Sequence, residues 1–222
     1  NVNMLYVLEN NGVYGLTKGQ FSASADVGST ARKGGAVNQQ PPIDPVLTAI
    51  NFGCTFVARG FSGDKQNLVP LLKAAIRHPG FALLDVLSPC VTFNDHEGST
   101  KSYAYTRESE RTTVYADFIP SREPIETDRV QDVTTITLHD GSRIVLRKVD
   151  NDYNPLDAGA ATAYIRDHQD EGEIVTGLLY INEEAQDLHA MNNTSNTPLS
   201  TLELSKLIPG AAKLAALQKA WR

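Results

Sequence analysis

Apolar positions follow two regimes along the chain. In the first half they form short, nearly unbroken runs at residues 4–8, 55–58 and 81–87, separated by stretches in which apolar side chains recur every three or four positions. Short apolar runs bounded by turn residues read as buried strands, and the longer spacing as amphipathic helices. Asp44 as N-cap, Pro45 at the first helical position and Gly53 at the stop predict one helix. A second is predicted over residues 64–78, with Leu68, Leu71, Leu72, Ala75 and Ile76 on its apolar face and Pro79-Gly80 as breaker. This β-α-β-α-β order predicts an α/β fold, a parallel sheet flanked by helices. Its first strand is expected to be buried and to stop at Asn10-Asn11-Gly12, where Asn and Gly tolerate the backbone angles of a tight turn.

The second half is patterned differently. Beyond Tyr105 the composition shifts to charged and polar residues with short apolar runs, which places a boundary there. Residues 1–105 form the α/β part and residues 106–222 a small α+β extension of hairpin, helix, strand and terminal helix. The hairpin pairs residues 133–138 with 143–149 across His139-Asp140-Gly141-Ser142, making His139 a turn residue. Asp157 caps a helix running to Gly172, with His168 on a solvated face beside Arg166 and Asp167. The apolar centre of residues 173–181 indicates a strand buried on both faces or an intersubunit contact. A last helix, residues 210–221, places Leu214, Leu217 and Trp221 on one docking face. Residues 21–42, rich in Ser, Gly, Ala and Gln, have the length of a lid or a disordered segment. Arg32 and Lys33 within it either meet an anionic ligand, such as the phosphates of coenzyme A, or are two solvated charges.

A net charge of −6 and a pI near 5.4 argue against nucleic acid or an anionic membrane as main partner. No run approaches the roughly 18 apolar residues of a membrane span, and no signal-like segment opens the chain, so a cytoplasmic location is expected. The chain starts at Asn1, almost directly with an apolar strand, as a processed or incomplete reading frame would. Two cysteines make no disulfide framework. Cys54, in an apolar run, reads as a buried structural thiol, whereas Cys90 follows Pro89 just past a strand and presents a sulfur ligand at the carboxyl edge of the sheet.

The carboxyl ends of parallel strands are where α/β sheets bind ligands. There, the Asn11 amide oxygen and the Val13 carbonyl have the spacing of two corners of a Mg²⁺ shell. Gly12 and Gly15 allow a diphosphate close to the backbone, and Thr17, Lys18 and Gln20 add a hydroxyl, a cation and an amide. Taken alone, the same residues fit a plain turn. Asn94-Asp95-His96-Glu97-Gly98 likewise offers either a metal site beside Cys90 or a turn with His96 facing solvent.

The run Asn10–Gln20 resembles the second half of the thiamine diphosphate signature of 2-oxoacid:ferredoxin oxidoreductase β subunits. Asp64-Lys65, Ser88-Pro89-Cys90-Val91-Thr92-Phe93-Asn94, Gly98-Ser99-Thr100-Lys101-Ser102-Tyr103 and Thr176-Gly177-Leu178-Leu179-Tyr180 resemble the same family, most of all its 2-oxoglutarate branch. The resemblance implies the C-terminal part of a thiamine diphosphate-binding fold. It implies that Asn11, Gly12, Val13, Tyr14, Gly15, Leu16 and Thr17 meet the cofactor, that Asn11 and Val13 hold Mg²⁺, and that Leu16 and Lys18 face the 2-oxoacid. Cys90 would be the last of four thiolates on a [4Fe-4S] cluster, and no side chain of the chain is given a catalytic role. The implied reaction is oxidative decarboxylation of 2-oxoglutarate to succinyl-CoA with ferredoxin as acceptor and an α subunit as partner; pyruvate or a broad 2-oxoacid range is the alternative. The family's Gly-Asp-Gly segment and its other three cysteines would lie upstream of Asn1. An inactive fragment or a non-catalytic interaction module is therefore the alternative of another class.

Overall fold

A computed structural model describes residues 1–119, 133–138, 140–148, 150, 153–208 and 210–220. The described chain divides into two compact units, Asn1–Asp187 and Leu188–Arg222.

The first unit opens with β1 (Met4–Asn10), a small hairpin of β2 (Val13–Tyr14) and β3 (Gln20–Phe21), then α1 (Pro45–Asn51), β4 (Phe56–Phe61), α2 (Lys65–Arg77) and β5 (Phe81–Leu87). α1 starts where expected: the Asp44 carboxylate accepts from the Val46 and Leu47 amides at 2.7 and 3.0 Å, satisfying donors that a helix start leaves free. Asp64 does the same for α2. Leu71 and Ala75 of α2 are buried, whereas Ile76, expected on the apolar face, is exposed.

It continues with α3 (Tyr103–Ser109), β6 (Glu110–Ile119), β7 (Val133–Thr137), β8 (Arg143–Lys148), α4 (Ala158–Asp170) and β9 (Ile174–Ile181). One seven-stranded sheet, in the order β1-β5-β4-β9-β6-β8-β7, unites these strands, and those before and after residue 105 hydrogen-bond to one another. β5 is parallel to both β1 and β4, so the α/β expectation holds for that half. β9 then runs antiparallel to β4 and parallel to β6, and β8 antiparallel to β6 and β7. The central position of β9 accounts for its apolar run: Val175, Leu178, Leu179 and Ile181 are buried. Gly177 is required there, because at φ +106° an added Cβ would lie 2.5 Å from the Val114 carbonyl oxygen, where β6 slips register against β9.

The expectation for β1 needs correction. Among the described residues it pairs only with β5, at the edge of the sheet, with Met4, Tyr6 and Val7 half exposed. An apolar run reports a surface that can be covered, not one that this chain covers. The hairpin β7–β8 matches its expected strands; His139 and Val149 lie outside the described residues. The core gathers Phe56, Leu71, Leu84, Ile144, Ile165 and Leu178, each fully buried and contributing about 1.5–3 kcal/mol.

The second unit holds α5 (Leu188–Met191), α6 (Leu204–Leu207) and α7 (Gly210–Ala220). Leu214 and Leu217 are exposed on α7, and Trp221 lies outside the described residues. No described helix is long and apolar enough to cross a membrane.

Candidate cofactor site

The turn after β1 is built by its own amides. Asn10 is buried and its side-chain oxygen accepts from Ser24 Oγ at 2.7 Å, fixing the end of the strand. The Asn11 Oδ1 accepts from the Val13 amide at 3.0 Å, and Gly12 sits at φ +71°, where a side chain would be strained. The Gly12 carbonyl accepts from Ser22 and the Tyr14 carbonyl from Gly19, so both face β3. Alternate residues of a strand turn their polar groups to opposite sides, which directs the Val13 carbonyl away from β3. Asn11 keeps a second lone pair on its amide oxygen. Asn11 and Val13, which carry these two oxygens of hard-cation type, wall a cavity of about 290 Å³ together with Asn10, Gly12 and Tyr14.

The rest of the expected site is not gathered there. Gly15, Leu16, Thr17 and Lys18 form the hairpin tip outside the cavity wall; Leu16 is 97% exposed and Lys18 has φ +72°.

Behind the turn lie two side chains, Asn94 and Lys101, that no local pattern singles out. Asn94 is buried, and its Nδ2 donates to the Asn11 carbonyl at 2.8 Å. A Cβ on Gly12 would come within 3.0 Å of Lys101 Cγ and 3.1 Å of Asn94 Nδ2, so the backbone can approach this wall only as glycine. Lys101, also buried, reaches Asp26 at 2.8 Å. Asn94 and Lys101 fall inside the segments Ser88–Asn94 and Gly98–Tyr103, which was the only signal for them.

A larger cavity of about 780 Å³ adjoins the first and shares Asn10, Ser24, Ile43 and Pro45 with it. Its charged wall includes Asp26, Asp44, Arg59, Lys101, Arg166 and Glu173. Arg59 is buried between Asp44 and Asp85, at 2.8 Å from each. Burial alone would raise the Asp44 pKa; the Arg59 guanidinium and the helix amides outweigh it, and the carboxyl titrates below its usual range. Gln169 of α4 also donates to Asp44.

Residues 21–42, expected as lid or disordered, are pinned. The Asn38 amide donates to the Ala25 and Gln40 carbonyls at 2.8 and 3.0 Å, and Thr30 bridges to Val37. Arg32 donates to the Thr92 carbonyl at 2.6 Å, two residues past Cys90, and Lys33 is exposed. Cys90 is partly exposed, and its carbonyl accepts from the Phe93 and Asn94 amides. Asp95 accepts from the Tyr103 amide, as a turn residue does, but His96 is half-buried rather than solvent-facing. Cys54 is buried, its thiol donating to the Phe56 carbonyl, and burial raises its pKa. One thiol near the site is not a cluster ligand set, and the described residues do not by themselves fit a [4Fe-4S] cluster.

His168 departs from expectation: its ring is largely covered and lies 2.7 Å from Glu173. Among the described residues His168, Glu171 and Glu173 form a group of metal-ligand type, but Arg111 already holds Glu173 at 3.2 Å.

Residues 1–86 match the family described as thiamine pyrophosphate enzyme, C-terminal TPP binding domain. A 2-oxoacid:ferredoxin oxidoreductase subunit beta from a Sulfolobus species is 47% identical over 95 residues, covering 43% of this chain and 31% of that protein. The 2-oxoglutarate oxidoreductase subunit KorB of Mycobacterium tuberculosis is 39% identical over 95 residues, 43% of this chain and 26% of that one. Among solved structures, a 2-oxoglutarate:ferredoxin oxidoreductase from Magnetococcus marinus, with 2-oxoglutarate, coenzyme A and succinyl-CoA bound, is similar with a TM-score of 0.61 and 26% identity. That likeness covers 94% of this chain and 60% of the other. The chain thus spans about a third or less of the length of these curated relatives.

Proposed function

We propose, from the premise that this chain is a homologue of 2-oxoacid:ferredoxin oxidoreductase β subunits, that it binds thiamine diphosphate through Mg²⁺ in an oxidoreductase acting on 2-oxoacids. Residues 1–105 are read as the cofactor part and residues 106–222 as an extension of it. The observation that supports the reading is the turn after β1, where Asn11 and Val13, two residues apart and joined by the bond from the Val13 amide to Asn11 Oδ1, line one cavity. Thiamine diphosphate supplies a carbanion-stabilising centre on which a 2-oxoacid can lose carbon dioxide. The chain's own part is to hold and orient: Asn11 and Val13 would anchor the cation, and Gly12 supplies the positive φ and the close packing on Asn94 and Lys101 that the turn between them needs. Leu16 and Lys18, on the exposed tip, would meet the 2-oxoacid only where a partner surface closes over them, the role assigned to an α subunit.

The preferred substrate is 2-oxoglutarate, with coenzyme A taking the acyl group and ferredoxin the electrons, in the cytoplasm. The bound ligands of the Magnetococcus relative support it, and pyruvate is the alternative. Cys90 would be one cluster ligand, and the remaining thiolates would have to come from outside these residues. In this reading the isolated chain is inactive.

Calorimetric titration of thiamine diphosphate with Mg²⁺ into the complete β chain joined to its partner tests the site. Asn11→Ala is expected to weaken binding by more than the roughly 10–100-fold typical of outer-sphere partners. Unchanged affinity would remove Asn11 from the site. Mass spectrometry of the acyl-CoA product separates the substrates, with succinyl-CoA expected and dominant acetyl-CoA overturning the preference.

A further inference from the structure

We infer that Asn94 is a positioning residue that locks the peptide between Asn11 and Gly12 in the one orientation compatible with cation binding. The inference rests on the cofactor reading above and adds to it a residue that the reading leaves without a role.

The geometry is local and over-determined. The peptide joining Asn11 to Gly12 is followed by a glycine at φ +71°, and glycine populates either sign of φ with little penalty. Such a turn can flip its peptide plane, exchanging one turn type for another. A flip would swing the Asn11 carbonyl and the Gly12 amide to opposite sides and disturb the bond from the Val13 amide to Asn11 Oδ1. What opposes it is the Asn94 amide, which donates to the Asn11 carbonyl at 2.8 Å. Asn94 is only 2% exposed, so water does not readily replace it. Asn94 is itself held at both ends of its backbone. Its amide donates to the Cys90 carbonyl at 2.8 Å, and its carbonyl accepts from Ser99 Oγ at 3.0 Å. Lys101 packs on the same face of Gly12 and leaves no space for the peptide to relax in that direction. The amide thus occupies the Asn11 carbonyl on the protein side, while Asn11 and Val13 line the cavity.

Two substitutions isolate the hydrogen bond. Asn94→Asp keeps the shape but removes the N–H donor at neutral pH, and Asn94→Ala removes the group and leaves room for a water. Affinity for Mg²⁺ with thiamine diphosphate is measured on the complete β chain with its partner subunit, below the melting temperature of each variant. The expected result is a loss of roughly 10–100-fold in either folded variant, as for residues that orient a metal ligand. A purely structural role would lower the melting temperature and leave the affinity of the folded protein unchanged, and that outcome overturns the inference while the cofactor reading stands. Absence of binding by the wild type overturns both. Hydrogen exchange on the wild type needs no variant: cofactor binding is expected to slow exchange in residues 10–14 and 90–94 together, and protection confined to 10–14 overturns the coupling.

Discussion

Two arginines, one in each half of the sheet, each serve two carboxylates, and they do so in opposite surroundings. Arg59 on β4 lies between Asp44 and Asp85 with 6% of its side chain exposed. Arg111 on β6 reaches Asp150 at 2.8 Å and Glu173 at 3.2 Å with 39% exposed. In the dry setting the three charges depend on one another, because each would be stranded in a low dielectric without its partners. In the wet setting water and salt substitute for whichever partner is lost. The buried centre also ties α1, β4, β5 and α4 together under the larger cavity, since Asp44 is at once the cap of α1, the partner of Arg59 and the acceptor of Gln169. Arg111 joins its neighbours through a looser group, in which Tyr164 donates to Asp150 at 2.6 Å and burial helps to push the Tyr164 pKa up to about 12.

The contrast can be broken most forcefully at Arg59. Arg59→Ala strands Asp85, which is fully buried and already has one carboxylate oxygen without a hydrogen-bond partner among the described residues. A loss of about 3–5 kcal/mol is expected in chemical denaturation; a loss below 1 kcal/mol would show that water reaches this centre. Lys101→Ala comes next. It removes a charged hydrogen bond to Asp26 at the wall of the cofactor turn, and about 1.5–3 kcal/mol is expected. Arg111→Ala should cost about 1 kcal/mol or less, and the cost should shrink as salt rises. A salt-insensitive loss as large as that of Arg59 would abolish the distinction.

Acid sharpens the same comparison. The folded pKa of Asp44 is depressed below its ordinary value of 3.8, so its contribution is complete above that value and is lost as pH falls through the lower, folded one. Glu110 has the opposite sign. Burial raises its pKa, outweighing the bond from Thr176 Oγ1, so the folded state holds its proton more tightly than the unfolded chain. Stability assignable to Glu110 therefore falls as pH rises from the unfolded pKa through the folded one. Glu110→Gln is expected to stabilise the protein slightly at neutral pH and to make little difference in acid. Melting curves of wild type and variant across pH 3–7 measure it, and a variant less stable at pH 7 would contradict the sign.

Much of the cofactor half is visible in residue order because its signals are local. Asp44-Pro45, Asp64, Asn11-Gly12 and the apolar runs act on neighbours within a few positions, and the structure places caps, turn and parallel strands accordingly. α3 and β6 were not legible, because residues 103–119 mix charges with Thr and Tyr and follow neither period cleanly. Arg32, expected either to meet an anionic ligand or to be a solvated charge, donates to the Thr92 carbonyl, a partner sixty residues away that no local pattern announces. His168 looked solvated because Arg166 and Asp167 flank it, while Glu173 from beyond the helix end meets it in space.

By itself the sequence determined where the chain turns, which helices start at which carboxylates, and which two oxygens lie two residues apart at the end of β1. Those properties depend on backbone angles and nearest neighbours, which the order of residues specifies directly. Only the tertiary structure decided that β1 lies at a sheet edge, that Arg59 is shared by Asp44 and Asp85, and that Asn94 reaches the carbonyl of Asn11. These are contacts between distant segments, and their energies depend on burial and orientation that exist only once the sheet has assembled.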